Sequence, residues 1–258
     1  MDEISAKKSA ATLLSIIIPA YNEEHRLPQT LSKIVEFVEA QDYESEVLVV
    51  DDGSQDGTAA IVTAFAAQYG YVRLIQPGRG GKGHAVRAGM LEAQGEYGFL
   101  CDADLAMPIT ELPKFLPPQR SSYHIAIGSR EGSGAVRYNE PFYRHMMGRV
   151  FNWLVKIMAV PGFEDTQCGF KCFHSSVVPD LFSHQTIQGF GFDVELLYIA
   201  RKRGYTIIEV PIHWYHQTES KVDPIRDTLR MVRDILLVRQ NDRNGLYDCQ
   251  KQHLPSTQ

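Results

Sequence analysis

The chain has 258 residues, 44% hydrophobic and 22% charged, with 26 Lys+Arg against 31 Asp+Glu and a net charge of -5 at pH 7. This is the composition of a soluble globular chain long enough for one domain with an appendage, and its mild acidity argues against a general nucleic-acid binder, which meets phosphates with a basic excess. Four irregularly spaced cysteines (Cys101, Cys168, Cys172, Cys249) do not make a disulfide framework, and no run reaches the roughly 18 apolar residues of a membrane-spanning helix.

The polar start, Met1 to Thr12, lacks the apolar segment and cleavage site of a secretory signal, so a cytoplasmic protein with a flexible 1–12 tail is expected. Beyond it, short β-branched runs alternate with longer helical patterns, as in βαβ units. Leu14 to Ile18 reads as a buried strand stopped by Pro19, followed by a helix with Leu27, Leu31, Ile34, Val35 and Val38 on one face. Val47 to Val50 is the second strand, running into Asp51-Asp52-Gly53-Ser54, after which Asp56 or Thr58 caps a helix. Val72 to Ile75 is the third, ahead of a glycine-rich loop from Pro77 to Gly83. Tyr97 to Cys101 is the fourth, opening into Asp102-Ala103-Asp104. Further on, the reading is coarser: a strand at His124 to Ile127, an amphipathic helix from Phe142 to Ala159, a helix from Asp193 to Arg203, a strand at Thr206 to Val210 and a terminal helix from Pro224 to Arg239.

Open parallel sheets bind ligands at the carboxyl ends of their strands, which gathers Tyr21, Glu23, Asp51, Asp52, Asp102 and Asp104 into one expected site. Two carboxylates one residue apart can hold a hard divalent cation, Mg2+ or Mn2+, that in turn holds a diphosphate; the same residues equally suit a solvated turn. Asp51 and Asp52 need donors, which a nucleotide base and ribose supply. The loop Gly78-Arg79-Gly80-Gly81-Lys82-Gly83 departs from the strict phosphate-loop pattern, yet its N–H groups and Lys82 can face a diphosphate at a helix start.

In order, Pro19-Ala20-Tyr21-Asn22-Glu23, Asp51-Asp52-Gly53-Ser54, Gly81-Lys82-Gly83 and Asp102-Ala103-Asp104 resemble the nucleotide-sugar half of glycosyltransferase family 2, whose fold is GT-A. Gly128-Ser129-Arg130, the segment from Asp165 to Lys171, Phe192 to Leu197, and Glu219-Ser220-Lys221 after His213-Trp214 resemble its dolichyl-phosphate glucosyltransferase branch, near the mannose synthases. The resemblance spans Leu14 to Arg239. It implies an α/β, GT-A, Rossmann-like, mostly parallel sheet flanked by helices, and inverting transfer of a sugar from UDP-glucose, or from GDP-mannose as the alternative, to a polyprenyl phosphate. By the same resemblance Pro19, Tyr21, Glu23, Asp51, Asp52, Lys82, Asp102 and Ala103 hold the nucleotide sugar, and Asp102 and Asp104 hold the metal. Where mannose synthases place a metal-assisting Gln, this chain has Ala106.

A phosphate acceptor is already ionised near neutral pH and needs cations rather than a base; Arg130, Arg137 and Lys221 are the expected grips. If the acceptor is instead a sugar, protein or lipid hydroxyl, Asp165 is the expected base. Asp193 and Arg130 are the other expected catalytic groups, while Asp193 and Glu195 also suit a helix start on electrostatic grounds, with structure favoured for Glu195. Phe142 to Val160 mixes aromatic, Met and basic residues as an interfacial helix does, although an ordinary core helix has the same pattern. Eight Lys/Arg against five acids between Arg201 and Gln240 would favour an anionic leaflet. The expected organisation is one domain over 13–240, split into a nucleotide-sugar half (13–105) and an acceptor half (106–240), with a 241–258 tail. It would work peripherally at the cytoplasmic face of a membrane, with no anchor of its own. A nucleotidyltransferase and a non-catalytic nucleotide-sugar sensor are the rivals from other classes; the first would carry a Gly-rich signature after the opening strand, which Pro19 to Glu23 lacks.

Overall fold

The computed structural model describes residues 11–216 and 224–248. In chain order it contains β1 (Leu14–Ala20), α1 (Leu27–Glu39), β2 (Ser45–Asp51), α2 (Thr58–Gln68), β3 (Val72–Ile75), α3 (Lys82–Glu92), β4 (Tyr97–Leu100), a 3-10 helix (Ile109–Phe115), β5 (Ile125–Ser129), β6 (Val136–Tyr138), α4 (Phe142–Met158), β7 (Lys171–His174), α5 (Val178–His184), α6 (Phe192–Lys202), β8 (Ile207–Pro211), β9 (His213–Tyr215) and α7 (Pro224–Arg243).

Seven strands form one sheet in the order β3-β2-β1-β4-β7-β5-β8, with β6 and β9 paired separately. The pairs among β1 to β4 are parallel, as the alternation of strand and helix requires. Side chains alternate across the pleat: Leu14, Ile16 and Ile18 pack with Leu31, Ile34 and Val38 of α1, while Ile17, Leu48 and Val50 pack with Val86 and Met90 of α3. Both faces are therefore buried, which explains the unbroken apolar runs of the inner strands.

Pro19 does not stop β1, which continues to Ala20. Beyond Ile17 the pairing with β4 has ended and only β2 flanks the strand, so a residue with no N–H is tolerated there. The sheet is also less uniform than its first half suggests. β7 runs antiparallel between β4 and β5, placing Lys171 beside both Leu100 and Ile127. The start of β7 thus lies at the same sheet end as the finishes of β4 and β5. At the far terminus, the boundary set at residue 240 falls inside α7, and Tyr247 beyond that helix is fully buried, so the expected tail takes part in the core.

Candidate active site

The first group stands at the ends of β1 and β2. Asp51 is buried and accepts from the Ser54 N–H at 2.9 Å and from Gln76 Nε2 at 3.0 Å. The glycine-rich loop folds over Asp52, whose carboxylate accepts from the N–H groups of Gly80 (2.7 Å) and Gly81 (2.8 Å) and pairs with Arg79 at 3.2 Å. The Arg79 guanidinium lies 3.3 Å from the centre of the Tyr21 ring, close stacking for a cation on an aromatic face. Gly53, at φ +72, makes the turn that lets this loop approach: a Cβ there would sit 3.3 Å from that of Arg79. Glu23 forms a two-pronged pair with Arg26 at 2.7 and 2.9 Å, so a ribose hydroxyl would share that carboxylate with a cation.

The second group follows β4. Lys82 Nζ lies 2.7 Å from Asp102 Oδ1. Burial works to raise the Asp102 carboxyl, but Lys82, by charge and by hydrogen bond, holds it below its ordinary value. Asp104 goes the other way, raised by burial and by the adjacent Asp102 charge, while its Oδ1 accepts from the Ala106 N–H at 3.0 Å. Ala103 contributes its carbonyl to Thr30 Oγ1 at 2.6 Å, pinning the turn to α1. Among the described residues no group of three or more His, Cys, Asp or Glu forms a protein-only metal cage. Two close carboxylates, one of them short of positive charge, nevertheless suit a hard divalent cation whose remaining ligands are water and phosphate oxygens.

The antiparallel β7 brings the third group. Lys171, 1% exposed at its side chain, pairs with Asp193 at 2.9 Å and donates to the Cys168 carbonyl. Asp193 is raised by burial, an effect that Lys171 and Lys82 reduce without reversing. Gly169 packs so tightly on Asp102 that a Cβ there would collide with its carboxylate. Arg130, immediately after β5, grips Asp165 with two parallel bonds of 2.6 and 2.9 Å, and its own N–H adds a third at 3.1 Å. Burial would raise the fully enclosed Asp165, but Arg130 prevails and lowers it to about 2. Glu209 fixes the same loop by accepting from the N–H groups of Glu164 and Asp165 at 3.0 Å.

Arg137 is held between Glu131 and Glu140, each at 2.7 Å, and donates to the Arg130 carbonyl at 3.1 Å. Trp214 lies near both arginines, with guanidinium carbons 5.7 Å (Arg130) and 5.9 Å (Arg137) from its ring centre. An acceptor phosphate would thus meet both guanidiniums already engaged by carboxylates. Lys221, together with Glu219 and Ser220, lies outside the described residues.

The structure therefore joins Asp102, Lys82, Asp193 and Lys171 into one chain of alternating charge, with Asp104 as a second carboxylate beside Asp102. Tyr21, Asp51 and Asp52 follow β1 and β2 on one side, and Arg130 with Asp165 lies toward β5 on the other. Pro19 stands near the end of β1, in register with Val50 of β2. Sequence reasoning gave no role to Arg79, Lys171, Glu209 or Trp214, although all but Glu209 stand in motifs quoted above. Lys171 carried a usable signal, a lysine entering an apolar strand (Lys171-Cys172-Phe173); the others are brought in by the fold. Glu195, expected to serve the helix start, is fully buried and accepts instead from Thr186, Ile187 and Tyr247.

The glycosyl transferase family 2 model matches residues 15–179. Over 250 residues the chain is 36% identical to the dolichyl-phosphate beta-glucosyltransferase of Drosophila melanogaster, covering 91% of this chain and 76% of that one. The Homo sapiens protein of the same name is 35% identical over 252 residues, 91% of this chain and 77% of its own. Among solved structures, glucosyl-3-phosphoglycerate synthase from Mycobacterium tuberculosis, in complex with Mn2+, UDP-glucose and phosphoglyceric acid, superposes with a TM-score of 0.65 at 17% identity, covering 91% of this chain and 80% of that one. At that identity the likeness speaks for the fold, which is the expected GT-A arrangement.

Proposed function

The chain belongs to glycosyl transferase family 2, and from that premise we propose that it moves glucose from UDP-glucose to dolichyl phosphate or a similar polyprenyl phosphate, with inversion at the anomeric carbon. Both relatives described above carry the dolichyl-phosphate beta-glucosyltransferase name, which supports the donor sugar and the acceptor class. The observation that carries the choice of acceptor is the Arg130–Asp165 pair. A hydroxyl must lose its proton as it attacks, and a fully buried carboxylate lowered to about 2 and bonded on both oxygens is a poor proton acceptor. A phosphate monoester, with a second pKa of about 6, brings its own charge.

In this reading the acceptor oxygen forms a bond to C1 of the glucose as the bond from C1 to the UDP oxygen breaks; UDP leaves with the electron pair and no proton is transferred. Asp51, Asp52 and Tyr21 hold the nucleoside with Glu23 near the ribose, and Lys82 meets the diphosphate. Asp102 and Asp104 would hold Mg2+ or Mn2+, which when bound neutralises charge on the departing diphosphate. Asp193, steadied by Lys171, faces the sugar, and Arg130, Arg137 and Lys221 screen the acceptor phosphate.

A polyprenyl acceptor places the reaction at a membrane surface. No helix among the described residues is long and apolar enough to cross a membrane. The surface we favour is α4, where Met146, Trp153 and Ile157 fall on one helical face, Trp153 60% and Ile157 64% exposed, with the exposed Arg149 on the same helix. The first turns of this helix reach the acceptor group, since His145 lies 3.4 Å from Glu140 and Arg149 lies 3.5 Å from Glu131.

The deciding experiment incubates the purified protein with labelled UDP-glucose, Mn2+ or Mg2+, and dolichyl phosphate beside a panel of soluble hydroxyl acceptors, with GDP-mannose as the competing donor. A labelled glucolipid and free UDP are expected. Transfer only to hydroxyl acceptors, or only from GDP-mannose, overturns the reading.

A further inference from the structure

Tyr247 follows α7, in the stretch that reads as a tail, yet among the described residues it is the largest fully buried side chain. Its hydroxyl donates to Glu195 Oε1 at 2.6 Å. Glu195 is 0% exposed and also accepts from the N–H groups of Thr186 (3.0 Å) and Ile187 (2.8 Å) and from the Thr186 hydroxyl. Asn241 ties the same parts together, donating to Tyr247 Oη at 3.1 Å and to Thr186 Oγ1 at 3.0 Å. A charge taken out of water is thus satisfied by uncharged donors from one short segment and one tyrosine, bonds stronger than those between neutral groups.

The segment that Glu195 fixes is the bed of the glycine-rich loop. Gln188 accepts from the His84 N–H at 3.2 Å, and Gln185 Nε2 donates to the Gly83 carbonyl at 2.9 Å. A Cβ on Gly81 would come within 2.8 Å of the Gln188 carbonyl oxygen, and one on Gly83 within 2.7 Å of the Ile187 oxygen. The two residues flanking Lys82 therefore rest directly on this backbone, and Lys82 reaches Asp102 from that support.

We propose that Glu195 and Tyr247 are positioning residues for Lys82: the carboxylate, steadied by the tyrosine, holds Thr186 to Gln188 at the height that aims Lys82 at the donor diphosphate. This rests on the assignment of Lys82 to the diphosphate. Small displacements of a group that meets charge in the transition state are costly, on the order of 10²-fold for about 1 Å.

The test uses the full-length chain and reads donor KM, acceptor KM, kcat and Tm. Tyr247→Phe removes one hydroxyl and is expected to raise KM for UDP-glucose roughly 3- to 10-fold while leaving acceptor KM unchanged; Glu195→Gln is expected to do more. In a Lys82→Ala background Tyr247→Phe should add nothing, because both act on one group. Lys202→Ala, which breaks ion pairs to Asp242 and Asp248 near the same helix end without touching this chain of contacts, should leave donor KM as it was. Should Tyr247→Phe fail to fold, Thr186→Val removes a donor to Glu195 from the other side and takes its place. The proposal is overturned by a lowered Tm with an unchanged donor KM, by fully multiplicative effects in the double variant, or by an equal rise in Lys202→Ala. A normal donor KM in Lys82→Ala alone would instead overturn the diphosphate assignment, and this proposal with it.

Discussion

Lys82 and Asp102 meet at 2.7 Å although they follow β3 and β4, strands that are separated by β2 and β1 in the sheet. The pairing spans the mouth of the site, and its cation is the one that holds the first carboxylate of the Asp-Ala-Asp turn ionised. Lys82→Ala removes that compensation together with the cation that the proposed function assigns to the diphosphate. We expect kcat/KM for UDP-glucose to fall about 10²-fold, the usual loss for one preorganised donor, in steady-state kinetics at saturating acceptor.

Asp102 and Asp104 should act as a pair in metal-dependent nucleotide binding. In titration calorimetry UDP is expected to bind the native chain tightly with Mn2+ and weakly with a chelator, whereas Asp102→Asn and Asp104→Asn should bind equally weakly in both. Metal-enhanced binding that survives in both variants would remove these residues from the metal site.

The Asp165 carboxyl falls from an ordinary 3.8 to about 2 in the fold. A lowered folded-state value gives stability that is complete above the unfolded value and fades as pH falls through the folded one. On the order of 2 kcal/mol should therefore be lost between about pH 4 and pH 2, and urea unfolding should show Asp165→Asn lacking that acid-sensitive part. Since the substitution also leaves the half-buried Arg130 without its partner, a larger loss at neutral pH accompanies it.

Gly169, in the loop before β7, packs against the Asp102 carboxylate with no room for a Cβ. Gly169→Ala forces the carboxylate off its Lys82 contact, so activity should drop at least 10-fold while Tm moves by only a few degrees, as for a local displacement at a site. An active Ala variant would show that the Asp102 position is not demanding.

On α4, Trp153→Glu and Ile157→Glu place charge on exposed apolar positions. Co-sedimentation with vesicles containing anionic lipid is expected to fall about 10-fold, while transfer to a short-chain, detergent-soluble polyprenyl phosphate is retained. Retained vesicle binding would move the membrane face elsewhere.

The first half of the fold was legible because its strands are buried on both sides and end in residues that a parallel sheet has no structural use for: Asp51, Asp52, Asp102 and Asp104. The second half was harder for a physical reason. The reversal of β7 is a matter of long-range pairing, with no local signature, and that reversal is what carries Lys171, Gly169 and Asp165 to the site. Side-chain pairing was equally hidden. Arg130 and Asp165 are 35 positions apart, so nothing in the order of residues shows that they neutralise each other. Tyr247 was misplaced because its surroundings in sequence are polar, while the apolar cluster it joins and the acceptor of its hydroxyl, Glu195, are brought to it by the fold, the latter from 52 positions away.

The locked Asp165 also bears on what happens when no acceptor is present. Water is the most abundant nucleophile near any activated sugar, and it needs help to shed a proton. Asp165, already committed to an arginine through both oxygens, offers water no such help. The same ion pair that leaves an ionised phosphate free to react would therefore spare the donor from wasteful hydrolysis between turnovers.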